Sequence, residues 1–242
     1  MNKYVVISTN DNPDYYQYVP FVIKAWNQLG WKVITFLRGD KKLLNKLIDG
    51  ENIFYFLDGK SKYRDETLVQ VSRLFGGCLI ENGLIMTADG DMMPCSDYWK
   101  PNENEITCYG HDLTGYGHYP ICYIAMNSNE WKRVMNITDG ELMPQIESLL
   151  DKYEQASSDN WEQWWQVDQD IITEKLKKEK VNSILRGKDN KFGFLAKGRI
   201  DRYNWSETLN VENPIDAHMP RPFDIEAANN ILIKTIHDSH IN

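Results

Sequence analysis

Cysteine is scarce in this sequence, and its spacing excludes two common roles. The 242 residues contain four cysteines, Cys78, Cys95, Cys108 and Cys122, with no Cys-x-x-Cys pair among them. Structural zinc sites and disulfide frameworks both rely on paired or clustered cysteines, so neither is expected. The sequence therefore predicts free thiols in a reducing compartment, the cytoplasm.

Long apolar runs and an excess of positive charge are also missing. No apolar stretch reaches the roughly 18 residues of a membrane span, so no transmembrane segment is expected. The formal net charge of -8 argues against nucleic acid and anionic membranes as partners. The first residues lead directly into a strand-like run, which predicts no signal peptide. What remains is a chain of a length that suits one large globular domain.

Strand-like and helix-like segments alternate through the first half of this chain. The predicted strands there span residues 4–8, 31–37, 53–57 and 84–88, and the predicted helices span residues 14–30 and 65–75. Such alternation is typical of a mostly parallel sheet flanked by helices. The second half is less regular. Its predicted strands span residues 105–109 and 121–126, with short strand-like pieces at residues 183–185 and 199–203. Its predicted helices span about 141–154, about 160–180 and 225–237.

The most informative motif is Asp89-Gly90-Asp91, directly after the strand predicted at residues 84–88. Open α/β sheets bind ligands beyond the carboxyl ends of their strands. Two aspartates there offer the hard oxygen ligands that Mg²⁺ or Mn²⁺ prefers, and Gly90 is expected to relieve the strain of a sharp turn. A metal held by so few carboxylates keeps positions for substrate phosphates. The alternative is a polar turn, since Asp-Gly is a common turn dipeptide.

A third metal ligand is expected near the C-terminus, where His218 stands among Pro214, Pro220 and Pro222. The prolines limit the backbone freedom around this histidine. Arg221 follows closely, and its guanidinium matches diphosphate oxygens. The alternative is a surface loop with a solvent-exposed histidine. The other histidines are weaker candidates: His111, His118, His237 and His240.

Two further segments carry candidate site residues. Arg73 stands among apolar neighbours, which favours a buried ionic role near donor phosphates or Asp89 over an exposed one. Residues 161–170 combine three tryptophans with Asp168 and Asp170. Sugars pack on aromatic rings, and a nearby carboxylate can accept the proton of a hydroxyl group. The alternative is a helix whose apolar stripe lies in the core, with Asp168 or Asp159 as N-cap.

These residues together resemble the GT-A glycosyltransferases, which use nucleotide sugars and bind a metal through an Asp-x-Asp motif. The marks of the resemblance run from Tyr4 through His218: Ser8-Thr9-Asn10, Arg73-Leu74, Thr87-Ala88-Asp89-Gly90-Asp91, residues 121–127, Asp168-Gln169 and His218. In detail the chain is similar to the N-terminal domain of a large glycosyltransferase encoded by chlorella viruses.

The resemblance implies a single GT-A domain over residues 1–242, with a central, mostly parallel sheet flanked by helices. Residues 1–110 would form the nucleotide-binding half, and residues 111–242 the acceptor-binding half with the metal-ligand tail. The implied substrates are a nucleotide-diphosphate sugar, with a UDP-sugar favoured, and a glycan or other hydroxyl acceptor. The implied cofactor is Mn²⁺ or Mg²⁺.

The resemblance also implies a role for each candidate residue. The metal ligands would be Asp89, Asp91 and His218. The residues around the nucleotide would be Thr9, Asn10, Arg73, Asp89 and Arg221. The candidate catalytic residues on the acceptor side would be Asp168 and Asp170, and the sequence does not decide which of them points into the site. Asp168 is the candidate base. Inversion of the anomeric centre is favoured over retention, which other members of the fold show.

Three other functions are weighed against this one. A haloacid-dehalogenase-type phosphatase places its Asp-x-Asp after the first strand, whereas this motif follows the fourth predicted strand. A sugar-nucleotide pyrophosphorylase needs a glycine-rich loop near the N-terminus, and residues 8–13 contain no glycine. The remaining alternative is a non-catalytic nucleotide-sugar- or carbohydrate-binding domain of the same fold, which only a turnover measurement excludes.

Overall fold

The computed structural model describes residues 1–48, 50–114, 117–188 and 196–239. His240 and part of the loop predicted between residues 110 and 119 therefore lie outside the described residues. In the described part of the chain, no helix is both long enough and apolar enough to cross a membrane.

The described strands and helices alternate through the first half of the chain, as the sequence predicts. The strands are β1 (Lys3–Thr9), β2 (Lys32–Leu37), β3 (Ile53–Phe56), β4 (Leu84–Thr87), β5 (Met92–Pro94), β6 (Ile106–Tyr109), β7 (Ile124–Asn127), β8 (Val181–Ile184), β9 (Arg199–Asp201) and β10 (Asp216–His218). The α-helices are α1 (Pro13–Tyr16), α2 (Val19–Gln28), α3 (Lys41–Leu44), α4 (Asp65–Ser72), α5 (Ser128–Met135), α6 (Leu142–Leu150), α7 (Trp161–Trp164), α8 (Val167–Leu176), α9 (Trp205–Thr208) and α10 (Ile225–Ser239).

Seven strands form the central sheet in the order β3-β2-β1-β4-β7-β6-β8. The first four are parallel neighbours, and β7 runs antiparallel to both β4 and β6, whereas β8 is parallel to β6. Among the described strands of this sheet, only β7 runs against the common direction. The prediction of a mostly parallel sheet flanked by helices is confirmed.

A smaller sheet, in the order β5-β10-β9, positions the C-terminal part of the candidate site. Strand β10 is antiparallel to β5, with His218 opposite Met92, and parallel to β9, with His218 opposite Asp201. The proline-rich tail is thus a paired strand where it carries His218, and not a surface loop. This pairing brings the tail next to the Asp89-Gly90-Asp91 turn.

The core lies on both faces of the central sheet. Successive side chains of a strand point to opposite faces, and in β1 Val5 and Ile7 enter one apolar cluster while Tyr4 and Val6 enter the other. One cluster packs against α2 and α10, and the other against α4, α5, α6 and α8. With both faces covered, the edge formed by the carboxyl ends of β1 and β4 is left to bind a ligand.

Two of the predicted helices are interrupted. The helix predicted over residues 14–30 is two helices, α1 and α2. Pro20 lies in the first turn of α2, where the backbone N–H that proline lacks would have no hydrogen-bond partner within the helix. The helix predicted over residues 160–180 is also two, α7 and α8. The side chain of Asn160 caps α7, and Asp168 lies in the first turn of α8, so the prediction of Asp159 or Asp168 as N-cap is wrong. Helix α5 was not predicted.

Candidate functional site

A cavity of about 660 Å³ opens beyond the carboxyl ends of β1 and β4. Its volume lies in the range of small-molecule sites. Polar residues from distant parts of the chain share its wall: Thr9, Asn10, Arg73, Asp89, Asp91, Asp168, Gln169, Arg202, His218 and Arg221. The cavity thus gathers every candidate site residue named from the sequence except Asp170.

The Asp89-Gly90-Asp91 turn needs glycine for a different reason from the one expected. Gly90 does not have a positive φ, so relief of backbone strain is not its role. A Cβ on Gly90 would lie 2.8 Å from the main-chain carbonyl oxygen of Ser8 at the end of β1. Only a residue without a side chain lets the turn approach β1 this closely, and that approach sets the positions of both aspartates.

Arg73 links Asp89 to Asp168 beneath the cavity. Its side chain is 5% exposed, its Nη1 contacts Asp89 Oδ1, and its Nη2 lies 2.6 Å from Asp168 Oδ2. Nη1 also donates to the carbonyl of Ala88 at 3.1 Å. Burial raises the pKa of Asp168, and the nearby charge of Arg73 opposes this rise. The guanidinium therefore fixes two carboxylates that come from α8 and from the end of β4.

Asp91 is buried and faces two further arginines. Its Oδ2 accepts from Nη2 of Arg202 at 2.6 Å and from Nη2 of Arg221 at 2.7 Å. Burial alone would raise the pKa of Asp91, but the charges of His218, Arg202 and Arg221 outweigh burial and hold this pKa well below its usual range. Asp91 is therefore an anion at neutral pH.

His218 faces the same point as Asp91. Its Nε2 contacts Nη2 of Arg202, and its Nδ1 lies 3.5 Å from Asp201 Oδ2. A carboxylate behind one ring nitrogen, with the other ring nitrogen turned to a cation, is the usual arrangement around a metal-ligating histidine. Arg202 and Asp201 were not identified from the sequence. Their one signal is an Asp-Arg pair at the end of a short strand-like segment.

The side chains around Asp91 supply part of the ligand set that a divalent cation needs. In the part of the chain that the structure describes, no three side chains of His, Cys, Asp or Glu lie together as a metal site. Asp91 Oδ2 and His218 Nε2 instead converge on one cationic nitrogen, Nη2 of Arg202. Two protein ligands of this kind fit Mg²⁺ or Mn²⁺ when a substrate diphosphate supplies the other oxygens.

Another part of the cavity wall is formed by the end of β1 and by α1. Asn10 donates from Nδ2 to Glu66 Oε1 at 3.1 Å, and Thr9 is buried beside it. Tyr15 of α1 was not identified from the sequence. Its ring centroid lies 4.0 Å from the guanidinium carbon of Arg221, a cation–π distance. Tyr15 thus adds an aromatic ring to the cavity wall and packs on Arg221, one of the two arginines that contact Asp91.

Comparison with known proteins identifies the fold. No family model and no curated protein matches the chain. Among solved structures, it is similar to glycosyltransferase GlyE of Streptococcus pneumoniae TIGR4, at 14% identity and a TM-score of 0.52, over 100% of this chain and 62% of GlyE. It is also similar to galactosyltransferase LgtC in complex with donor and acceptor sugar analogs, at 16% identity and a TM-score of 0.52, over 96% of this chain and 95% of LgtC. The chain has the GT-A fold.

At these identities the likeness shows the GT-A fold alone. The chain spans 62% of the length of GlyE, so the activity of that whole protein does not carry over directly. The predicted division into a nucleotide-binding and an acceptor-binding half stays a prediction, as does the resemblance to a viral glycosyltransferase domain.

Asp170 lies apart from the central cavity of this GT-A domain. It lines a second cavity of about 730 Å³, where its Oδ2 accepts from Gln155 at 3.2 Å and its Oδ1 lies 3.6 Å from His118 Nδ1. Asp168, two residues earlier, lines the central cavity. The separation follows from helical geometry, because residues i and i+2 of a helix face different directions.

His111 and His118 lie away from the central cavity. The ring of His111 stacks on Tyr119 with 4.4 Å between centroids, and its Nδ1 lies 3.3 Å from Ser183 Oγ. His118 lines the second cavity. His237 belongs to α10, at the far end of the described chain. Among the histidines that the structure describes, His218 is the one at the Asp91 carboxylate.

Proposed function

We propose that this chain is a glycosyltransferase that moves a sugar from a nucleotide-diphosphate donor to a hydroxyl group of a glycan or other acceptor. The observation that carries the proposal is the convergence of Asp91, His218, Arg202 and Arg221 at the carboxyl edge of a GT-A sheet. A buried anion and a histidine suit a divalent cation, and the arginines suit phosphate oxygens.

The charges of the described residues support a diphosphate ligand. Arg73, Arg202 and Arg221 face Asp89, Asp91 and Asp168, so the site without ligand is nearly balanced. A diphosphate adds negative charge, and a divalent cation between Asp91 and His218 would restore the balance while freeing Arg202 and Arg221 for phosphate oxygens. Mn²⁺ or Mg²⁺ is the proposed cofactor, and it would supply electrophilic stabilisation of the leaving diphosphate.

The nucleoside is proposed to lie against Thr9, Asn10 and Tyr15, with a UDP-sugar as the favoured donor. Tyr15 lines the cavity with an aromatic ring, against which a flat base can pack, and the side chains of Thr9 and Asn10 offer polar groups at the end of β1. Asp89 lines the same cavity and contacts Arg73. It is proposed to contact both the ribose and the metal.

Asp168 is the proposed base, since it lines the central cavity and Asp170 does not. Burial raises the pKa of Asp168, the direction that improves a carboxylate as a proton acceptor. If Asp168 takes the proton of the acceptor hydroxyl for direct attack, the anomeric centre inverts. Retention of configuration with Asp168→Asn still active would overturn this role.

Calorimetric titration of UDP, GDP and dTDP, each with and without Mn²⁺, tests the donor site. We expect one nucleotide to bind in a manganese-dependent way, and Asp91→Ala to abolish that dependence. Asp97→Ala is the matched control, because Asp97 is half exposed, pairs with Lys100 and lies outside the cavity. Binding of none of the three nucleotides would overturn the proposal.

Turnover separates the enzyme from a non-catalytic binding domain of the same fold. The assay measures release of the nucleoside diphosphate from the corresponding nucleotide sugar, with water or a glycan as acceptor. We expect metal-dependent release that Asp91→Ala removes. Nucleotide binding without any release would favour the non-catalytic alternative.

A further inference from the structure

Helix α7 and the residue that follows it expose two tryptophan rings to solvent beside the central cavity. Trp161 is 60% exposed and Trp165, just after the helix, is 38% exposed, and both line the cavity. None of the α7 residues is buried, so the helix contributes little to the core. Large aromatic rings kept at the surface beside a ligand cavity indicate a contact surface for that ligand.

Other contacts hold α7 in place and leave these two rings available. The side chain of Asn160 caps the helix by accepting from the N–H of Glu162 at 3.0 Å. The guanidinium carbon of Arg64 lies 5.6 Å from the ring centroid of Trp164, which in turn packs edge-on against Trp165. Trp164 is therefore the anchoring ring, whereas Trp161 has no such role.

The second cavity begins on the other side of α7 and continues the first. Gln166 lines both cavities, so the two meet at this residue. Among the described residues, the second cavity is lined by many hydrogen-bonding groups, by the three carboxylates of Glu154, Glu162 and Asp170, and by His118. A polar, acidic groove of this kind accepts hydroxyl groups and repels anions.

We propose that the groove over α7 binds a neutral oligosaccharide acceptor of two or more sugar residues. This inference rests on the proposed function. The donor fills the part of the central cavity near Asp91, so the acceptor enters from the side of Trp161 and Trp165. Its terminal sugar packs on these rings, and its following residues extend past Gln166 into the second cavity. The carboxylates there exclude acceptors that carry phosphate, sulfate or uronic acid groups.

A glycan array with neutral and acidic oligosaccharides tests the inference on the full chain, with and without the nucleotide found by calorimetry. We expect retention of neutral glycans with at least two residues. Trp161→Ala should weaken this binding by about tenfold or more, the scale on which truncation of an aromatic anchor is felt. Trp161→Phe, which keeps a flat ring, should restore most of it.

A charge substitution tests the second cavity. Glu162→Gln should increase the binding of acidic glycans, whereas Glu207→Gln should leave it unchanged. Glu207 is the matched control because it also lies in the first turn of a short helix and lines neither cavity. Glu162→Gln and Glu207→Gln, at positions outside the central cavity, should leave the affinity for the nucleotide unchanged.

Nucleotide binding and glycan binding fail separately, which keeps the two proposals distinguishable. Absence of nucleotide binding would overturn the proposed function. Three results, each with normal nucleotide binding, would overturn the proposal of an acceptor groove. They are retention of no glycan, retention of only acidic glycans or monosaccharides, and glycan binding that Trp161→Ala does not affect.

Discussion

Removal of the Arg73 guanidinium should destabilise the fold through Asp168. The Arg73→Met variant keeps the apolar stem of the side chain but leaves Asp168, which is 2% exposed, without its charge partner. Breaking a buried ion pair on one side costs about 3–5 kcal/mol. In a chain of this size each kcal/mol lowers Tm by roughly 2–4 °C, so we expect a decrease of about 6–20 °C.

The pH dependence of the stability of Arg73→Met tests whether the unpaired carboxylate is that of Asp168. Burial raises the pKa of Asp168, and loss of Arg73 removes the charge that opposes this rise. A carboxyl group whose pKa is higher in the folded state than in the unfolded state stabilises the fold at low pH, below its unfolded-state pKa of about 4. That stabilisation is lost as the pH rises through the folded-state pKa. The stability deficit of the variant should therefore be larger at pH 8 than at pH 5.

Urea denaturation of three proteins checks this reasoning: the wild type, Arg73→Met, and the double variant Arg73→Met with Asp168→Asn. The double variant should recover most of the lost free energy of unfolding, because it removes the unpaired charge. A single-variant cost below about 1 kcal/mol, or a double variant no more stable than the single one, would refute the assignment of a buried ion pair.

Two further substitutions test how the site is held. Asp216→Asn should cost about 3–5 kcal/mol, because Asp216 is fully buried in β10 between Arg186 and Arg199. These arginines outweigh burial and hold the pKa of Asp216 well below its usual range. This stabilisation is present above about pH 4 and is lost as the pH falls, so acid denaturation should distinguish wild type from variant, and identical acid profiles would contradict it. Gly90→Ala should cost about 1–3 kcal/mol through the clash with the Ser8 carbonyl. It should also weaken manganese-dependent nucleotide binding, and unchanged nucleotide affinity would show that the close approach is dispensable.

Local patterns in the sequence were sufficient for the central sheet. Strands β1, β2 and β4 are apolar runs that are largely buried on both faces, which makes the runs continuous, and β3 is a partly buried run of Ile and aromatic residues at the sheet edge. The position of Asp89-Gly90-Asp91 at the end of β4 follows from the same local signal. The geometry of parallel sheets then places that turn at a ligand-binding edge.

Helix interruptions were harder to predict, because apolar periodicity continues across them. In residues 160–180 the spacing of tryptophans and isoleucines suits one long helix, yet α7 and α8 are separate. The break depends on tertiary contacts, such as the packing of Arg64 on Trp164. It leaves α7 on the surface while the first turn of α8 delivers Asp168 to Arg73.

The sequence by itself determined the fold class, the parallel core and the acidic turn at its edge. Only the tertiary structure decided which residues join that turn. His218 and Arg202 reach Asp91 because β10 pairs with β5 and β9, three strands of three residues each, of which only β9 lies in a segment predicted as a strand. The pairing of β10 with β5 joins residues more than a hundred positions apart and depends on the packed core beneath it, since no local periodicity encodes it. The residues of the acidic turn are neighbours in the sequence, so a local pattern identifies them. Its partners His218 and Arg202 are distant in the sequence and come close to it only in the folded chain.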